Sequence, residues 1–308
     1  MTAANYEALT PLSFLPRTAL MFPDRRAVVY GERSYSWQEF YNRCKQLASA
    51  LNSIGIAKGD TVAILAANTP EMIEAHFGIP MSGAVLNTIN TRLDAETIAY
   101  VLGHGEAKVF IVDYELAPQA KSALEIHGDN DLIVIDILDL QNATTPGAIG
   151  STDYEAFLAT GMDTFQWNMP TNEWDAIGLS YTSGTSGRPK GVVYHHRGSY
   201  LMSMGTITDW DLPRHPSYLY TVPMFHCNGW GHAWTMAAVA GTMFCTRAIV
   251  PEDIFSTILE HNITHFGGAP IVLSMLLNSP AAKDFSCPSK VELMTAGAPP
   301  PASVLQGI

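Results

Sequence analysis

The sequence predicts an α/β fold in which helices cover largely parallel β-sheets. Short apolar runs rich in β-branched residues recur along the chain, and segments with helical apolar spacing separate them. Strands that alternate with helices are typical of parallel sheets, because a helix-containing crossover connects parallel neighbours. The 308 residues are 47% hydrophobic, which is sufficient for one large domain or two ordinary ones with a sizeable core.

The first predicted elements are a hairpin and a helix. Gly31 separates the apolar runs 27–30 and 34–37, so a hairpin is expected around it. Ser36, followed three residues later by Glu39, forms a capping box that begins a helix. Because of its apolar spacing, this helix is expected to bury one face. The residues on that face are Phe40, Cys44, Leu47 and Leu51.

The alternation of helices and strands continues through the first half of the chain. Thr69 and Pro70 supply an N-cap and a first-turn proline for a second helix, and Asp94 begins another. The segment 141–169 has no clear period, so we interpret it as a connecting loop with a short helix near 154–157. The predicted strands of this half are 62–65, 109–113 and 132–135.

Three predicted strands of the second half end at loops of unusual composition. Open α/β sheets bind their ligands at the carboxyl ends of strands, so we expect a site to be assembled from these loops. Strand 174–179 leads into loop 180–191, strand 218–222 into loop 223–230, and strand 291–295 into loop 296–299. Further strands are predicted at 192–194, 241–245 and 263–266, with helices at 253–261 and after Pro270.

The loop 180–191 has the composition of a phosphate-binding loop. Its small residues let the backbone approach an anion, and successive N–H groups in such a loop form an anion-binding nest. Lys190 adds a positive charge, but Pro189 precedes it and Gly191 follows it, so this is not a Walker loop. The alternative is a surface loop, which clusters of Ser, Thr and Gly commonly mark. The hydroxyls that would add donors belong to Thr182, Ser183, Thr185 and Ser186.

Three motifs resemble those of one enzyme superfamily. The order Tyr-Thr-Ser-Gly-Thr-Ser-Gly-x-Pro-Lys-Gly at 181–191 resembles the phosphate-binding motif of adenylate-forming (AMP-binding) enzymes. Pro-Met-Phe-His at 223–226, with Gly-Trp at 229–230, is similar to the second core motif of fatty acyl-CoA synthetases, and 296–299 resembles the Gly-Gly-Ala-Pro turn. The resemblance runs from about Tyr35 to the last residue. It implies the large N-terminal domain of this superfamily.

The resemblance also implies the ligands and the residues that bind them. The ligands are ATP, Mg²⁺, coenzyme A and a small carboxylic acid, and the implied catalytic residues are His226, Lys190 and Thr182. Thr182 would lie near Mg²⁺, and His226 would orient the carboxylate. Phosphate-binding residues would be Thr182, Ser183, Gly184, Thr185, Ser186, Gly187 and Lys190. Gly297, Ala298 and Pro299 would contact adenine, and His226, Cys227, Asn228, Trp230 and Gly268 would contact the acid.

The end of the chain departs from the family pattern. Family members continue with Tyr-Gly-x-Thr-Glu, whose Glu helps to hold Mg²⁺, and then with a small C-terminal lid domain that carries a catalytic Lys. Neither occurs in the 308 residues. We therefore expect an incomplete N-terminal AMP-binding domain, without the lid and inactive on its own. We expect a first α/β subdomain and linker at 1–170, and the phosphate-loop and acyl-pocket part at 171–308.

The favoured function is that of an acyl-CoA synthetase, which converts a carboxylic acid and ATP to an acyl-adenylate and then to an acyl-CoA. An aryl-CoA or amino-acid adenylating enzyme is the alternative within the superfamily. A catalytically dead nucleotide-binding or interaction fragment is the alternative of another class. From the residues alone, His226 remains open to a core role and Trp230 to simple packing.

Composition limits the partners. The net charge of −12 argues against a nucleic-acid or anionic-membrane partner. The four cysteines show no paired spacing, which fits reduced intracellular thiols. No secretory signal is visible, and the apolar stretches are too short or too interrupted to span a bilayer. We expect a cytoplasmic protein without a transmembrane segment, and we leave a homodimer open.

Overall fold

A computed structural model describes residues 5–141, 147–182 and 187–308. The described strands are β1 (Arg26–Tyr30), β2 (Arg33–Ser36), β3 (Thr61–Leu65), β4 (Val85–Thr88), β5 (Ala107–Asp113), β6 (Ile133–Ile137), β7 (Thr152–Asp153), β8 (Ala176–Thr182), β9 (Lys190–His195), β10 (Ser217–Tyr220), β11 (Thr242–Cys245), β12 (His265–Gly267) and β13 (Glu292–Met294). The described α-helices are α1 (Phe14–Met21), α2 (Trp37–Ser53), α3 (Pro70–Met81), α4 (Ala95–His104), α5 (Ala117–His127), α6 (Tyr154–Ala159), α7 (His196–Asp209), α8 (His232–Val239), α9 (Pro251–Glu260), α10 (Pro270–Asn278) and α11 (Ala302–Gly307).

The strands form two largely parallel sheets. The first has the order β13-β12-β10-β11-β1-β2, and its β1–β2 hairpin is antiparallel. The second has the order β7-β6-β5-β3-β4-β8-β9, and its β8–β9 hairpin is antiparallel. The other pairings between the described strands are parallel. The predicted fold class, with helix-covered and largely parallel sheets, is therefore confirmed.

The two sheets interleave along the chain. Strands β1 and β2 come first in the sequence, yet β1 pairs with β11 and belongs to the sheet of β10 to β13. Strands β8 and β9 follow residue 170, yet they complete the sheet of β3 to β7. The division between the sheets thus does not coincide with the predicted boundary at residue 170. Residue 170 as the boundary between two subdomains therefore stays a prediction.

One large apolar core joins the sheets and the helices between them. Val28 of β1, Val62 of β3 and Tyr218 of β10 are all fully buried members of the same cluster. Every residue of β3 is buried, as expected for a parallel strand that is covered on both faces. Helices α2 and α3 approach closely because residue 78 is glycine: a Cβ there would lie 2.9 Å from the Cys44 carbonyl oxygen.

Local sequence signals account for several helix and turn boundaries. The Glu39 amide donates to the Ser36 hydroxyl at 3.2 Å, and the Ser36 amide donates to the Glu39 carboxylate at 2.7 Å. The predicted capping box of α2 is therefore confirmed. Asp94 likewise caps α4, because its carboxylate accepts from the Thr97 amide. Thr69 precedes α3 but makes no side-chain capping bond, so Pro70, with its preset φ, remains the start signal there.

Arg247, which follows β11, ties the first sheet to the second. Its Nη1 donates to Asp139 Oδ2 at 2.9 Å, and its Nη2 donates to Asp113 Oδ1 at 3.0 Å. Asp113 ends β5 and Asp139 follows β6, so one guanidinium holds the carboxyl ends of two strands of the other sheet. The Tyr30 hydroxyl, at the end of β1, donates to the same Asp139 carboxylate. The network therefore links β1 and the chain after β11 in the first sheet to the ends of β5 and β6 in the second.

Within the ranges given above, none of the helices is both long and apolar enough to cross a membrane. The buried cysteine Cys44 and the three others are free thiols.

Candidate functional site

The two stems of the predicted phosphate loop lie side by side. Strand β8 ends at Thr182 and β9 begins at Lys190, and these two residues are register partners in the antiparallel hairpin. Gly187 has φ +100, a conformation that favours glycine, and it is exposed between the stems. The predicted phosphate-binding residues Ser183, Gly184, Thr185 and Ser186 lie outside the described residues, so their roles stay predictions.

A cavity of about 220 Å³, here called the loop cavity, lies beside these stems. It opens where β4 and β8, which are parallel neighbours, reach their carboxyl ends. Ligand sites of open α/β sheets occur at such edges. The lining includes hydroxyl, amide and imidazole groups that would suit a polar ligand, contributed by Thr88, Asn90, Ser180, Thr182 and His226.

The segment 227–231 forms a left-handed turn above the cavity. Cys227, Asn228 and Trp230 have φ values of 48°, 47° and 57°, and the two glycines at 229 and 231 also have positive φ. Each non-glycine residue in this conformation costs about 1–3 kcal/mol unless its surroundings enforce it. The turn is therefore a feature that the surrounding fold must hold.

Asn228 anchors this turn to the second sheet. Its side chain is 1% exposed, and its Oδ1 accepts from the Thr88 hydroxyl at 3.2 Å and from the Ser180 hydroxyl at 3.4 Å. A Cβ at position 178 would lie 2.6 Å from Asn228 Nδ2, so β8 admits this side chain because Gly178 has none. The Tyr220 hydroxyl also donates to the Gly229 carbonyl at 3.2 Å. These contacts leave His226 and Cys227 exposed beside the loop cavity.

A second cavity, here called the tryptophan cavity, has a volume of about 400 Å³. It lies between α7, the left-handed turn, α8 and the end of β13. Trp230 packs over β12, where a Cβ on Gly267 would lie 3.2 Å from its ring. Among the described residues that line the cavity, none is Asp, Glu, Lys or Arg. Its walls include Tyr194, Met202, Cys227, Trp230, Trp234 and Ala296.

Tyr194 and Cys227 line both cavities, so the cavities adjoin at these two side chains. Burial raises the pKa of the Tyr194 hydroxyl, and the neighbouring Cys227 thiol raises it further. His226 Nε2 lies 3.8 Å from Cys227 Sγ. A ligand that passes from one cavity to the other would thus meet a neutral phenol, a thiol and an imidazole.

The structure brings together some of the predicted site residues and leaves others apart. Thr182, His226 and Cys227 line the loop cavity, and Cys227, Asn228 and Trp230 line the tryptophan cavity. Gly268 is buried after β12, where its amide donates to the Met294 carbonyl, and it lines neither cavity. Gly297, Ala298 and Pro299 are exposed next to Ala296, which does line the tryptophan cavity. Their contact with adenine stays a prediction.

Sequence reasoning missed several residues of the site. Thr88 ends β4, a strand that was not predicted, and Asn90 follows it by two residues. Tyr194 was predicted only as part of a strand, and Met202 lies on α7, which was not predicted. The available signal was the apolar run Val85-Leu86 before two polar residues, but nothing in the sequence connects it to the loop at 181–191.

No group of three or more His, Cys, Asp or Glu side chains that could hold a metal ion occurs within 5–141, 147–182 and 187–308. Mg²⁺ is bound in proteins through one or two carboxylates together with substrate phosphates. The Thr182 hydroxyl would supply at most one neutral ligand. Mg²⁺ at Thr182 therefore stays a prediction.

Comparison with known proteins identifies the family. A model of the family described as AMP-binding enzyme matches residues 15–308. The chain therefore belongs to the AMP-binding enzyme family, as the three motifs predicted.

Curated relatives agree with this assignment, and a solved structure shows the same fold. An acetate–CoA ligase of Humulus lupulus is 46% identical over 98% of this chain and 55% of its own length. An acetate/butyrate–CoA ligase of Arabidopsis thaliana, described as peroxisomal, is 45% identical over 98% of this chain and 55% of its own length. The chain spans about half the length of these relatives. A crystal structure of an anthranilate–CoA ligase with anthranoyl-AMP has a TM-score of 0.89 at 22% identity, covering 100% of this chain and 59% of that one, which shows the shared fold.

Proposed function

We propose that this chain forms the nucleotide- and acid-binding part of an AMP-forming acyl-CoA synthetase. In that reaction a carboxylate oxygen attacks the α-phosphorus of ATP, pyrophosphate leaves, and the thiol of coenzyme A then displaces AMP from the acyl-adenylate. The observation that carries the proposal is the junction of the two cavities. One is bounded by the phosphate-loop stems and carries hydroxyl, amide and imidazole groups among apolar walls, the other is walled mainly by aromatic and apolar side chains, and they meet at Tyr194 and Cys227.

The residues present fit one cavity that binds the phosphates and another that binds the acid. Lys190 and Thr182 face each other across the loop stems and offer a cation and a hydroxyl to the phosphates. His226, at the junction, has an exposed imidazole that would hydrogen-bond a carboxylate entering from the tryptophan cavity. Such residues would accelerate the reaction by positioning the reacting groups and by stabilising charge.

The tryptophan cavity supports an uncharged acyl group. A free amino acid would bring an ammonium group, and the described walls of this cavity contain no carboxylate to bind it. The cavity's volume of about 400 Å³ suits a short or medium aliphatic chain. The names of the relatives, which include acetate, butyrate and 2-methylpropanoate ligases, support the same class.

An acid panel tests the substrate class. We expect carboxylate-dependent pyrophosphate exchange by the full-length protein to be fastest with short or medium aliphatic acids. Benzoate and cinnamate would be slower, and amino acids slowest, because an unpaired buried ammonium is strongly disfavoured. Fastest exchange with cinnamate would favour the aryl-CoA alternative, which the aromatic walls and a trans-cinnamate:CoA ligase relative from Petunia hybrida at 41% identity also support. Fastest exchange with an amino acid would contradict the acyl assignment.

Substitution of the loop lysine tests the phosphate site. Lys190→Ala is expected to lower kcat/KM for ATP by about 10- to 150-fold, since a hydrogen bond to a charged group contributes about 1.5–3 kcal/mol. The unfolding midpoint should not change, because Lys190 is exposed. Lys283→Ala, at another exposed lysine, is the matched control and should retain full activity. Equal exchange rates for Lys190→Ala and wild type would exclude Lys190 from the phosphate site.

The remaining assignments rest on the family. ATP and coenzyme A follow from the proposed reaction, and Mg²⁺ is expected to accompany ATP. A homodimer stays a prediction. Two of the relatives named above are described as peroxisomal, so the predicted cytoplasmic location also stays open to test.

A further inference from the structure

The first stem of the phosphate loop and the residues just before the second stem contact the C-terminal half of α4. On the first stem, the Tyr181 hydroxyl and His104 Nδ1 are hydrogen-bonded at 2.8 Å. Two residues before the second stem, the Arg188 guanidinium lies 5.8 Å from the centroid of the Tyr100 ring, within the range of a cation–π contact. Tyr100 and His104 stack on each other with centroids 5.2 Å apart. One aromatic pair on a helix therefore touches the first stem and the chain just before the second stem.

The packing around this contact is close. A Cβ at position 105, directly after α4, would lie 3.3 Å from the Tyr181 hydroxyl, so glycine lets the helix end approach β8. Val101 of the same helix is fully buried and lines the loop cavity together with Tyr181 and Pro189. The C-terminal half of α4 thus forms a wall of the cavity and also contacts the first stem and the chain just before the second stem.

We propose that His104 and Tyr100 are positioning residues that hold the two stems of the phosphate loop in their ligand-binding arrangement. Neither residue is required to touch the nucleotide. They act through Tyr181 and Arg188. Stems that are held in place before binding do not spend ligand affinity on their own ordering, so the contact would strengthen triphosphate binding without entering the chemical step. This inference rests on the proposed function for its effect on ATP, but the anchoring itself can be measured without ATP.

Trypsin provides the measurement of anchoring. Lys190 begins β9 and is paired with β8, so cleavage after it requires the stem to separate from its neighbour. The Arg188–Pro189 bond resists trypsin because proline follows the arginine. Cleavage at Lys190 yields one fragment that ends at residue 190 and another that begins at residue 191, and its rate follows the population of the open stem when opening is fast.

Two substitutions each remove the hydrogen bond between Tyr181 and His104, one by changing the strand residue and the other by changing the helix residue. Tyr181→Phe keeps the ring and removes the hydroxyl, and His104→Phe keeps the stack on Tyr100 and removes the ring nitrogen. Each should accelerate cleavage after Lys190 by about two- to tenfold, the factor that corresponds to one net hydrogen bond. The double variant should be no faster than either single one, because the two residues form one bond. His104→Asn, which restores a hydrogen-bonding atom, should return the rate toward wild type.

A matched control and a kinetic arm complete the test. Tyr114→Phe, at the residue that follows β5 of the same sheet, should leave cleavage unchanged, and thermal unfolding should show all variants folded. In the protein as its gene encodes it, KM for ATP should rise by the same factor with kcat unchanged, as expected for loss of uniform binding. Unchanged cleavage and unchanged KM would overturn the inference. Faster cleavage in a protein that does not use ATP would retain the anchoring and reject the proposed function instead.

Discussion

Arg247→Met is expected to lower the free energy of unfolding by about 3–5 kcal/mol, because it removes the cation from a buried ion-pair network. The Arg247 side chain is 13% exposed, and its partners Asp113 and Asp139 are 1% and 3% exposed. Methionine has a similar length, so the loss is mainly that of charge. The two carboxylates would remain buried without their partner, and they would have to be protonated or hydrated by local opening.

Urea denaturation measures this loss, since a neutral denaturant does not screen the charges. Lys108→Met is the control, because Lys108 pairs with Asp60 while 57% exposed and such pairs contribute about 0–1 kcal/mol. Adding Asp113→Asn and Asp139→Asn to Arg247→Met should restore part of the stability by removing the unpaired charges. If Arg247→Met were no more destabilising than Lys108→Met, the network would not hold the sheets together.

The parts of the fold that sequence predicted are those specified by local chemistry. The capping box of Ser36 and Glu39, the hairpin around Gly31 and the apolar face of α2 each depend on residues a few positions apart. The sheet to which a strand belongs does not depend on such local residues. Strands β1 and β2 precede α2, yet they pair with β11, more than 200 residues later in the chain. Alternation predicts strands and helices but does not say which strands become neighbours.

The same limit applies to the candidate site. The loop stems and His226 were predicted because short motifs contain them, whereas the hydrogen bond between His104 and Tyr181 joins residues 77 positions apart. The left-handed turn is a further case. Gly229 and Gly231 are compatible with positive φ, but Cys227, Asn228 and Trp230 give no such signal. Their conformation depends on tertiary contacts such as those of Asn228 with Thr88 and Ser180, which no local pattern encodes.

Acidification from about pH 7 to about pH 5 is expected to destabilise the fold by several kcal/mol, because three buried histidines are held neutral. Burial lowers the pKa of His76 and of His196 to about 4 and that of His232 to about 3. In the unfolded chain a histidine binds a proton near pH 6.5, so below that pH folding must release it. The stabilisation is complete above the unfolded pKa and is lost as the pH falls toward the folded pKa. At about pH 5 the loss is about 2 kcal/mol for each histidine.

His196→Asn isolates one of these contributions. The His196 ring shares a hydrogen bond with the Thr10 hydroxyl at 2.8 Å, and an asparagine amide can occupy the same position without titrating. Urea midpoints at the two pH values should show that the variant loses about 2 kcal/mol less than wild type on acidification. Thr10→Val is the control: it removes the hydrogen bond but keeps the titrating ring, so it should lower stability at both pH values and preserve the pH dependence. An unchanged pH dependence in His196→Asn would show that His196 is not the buried, neutral group described here.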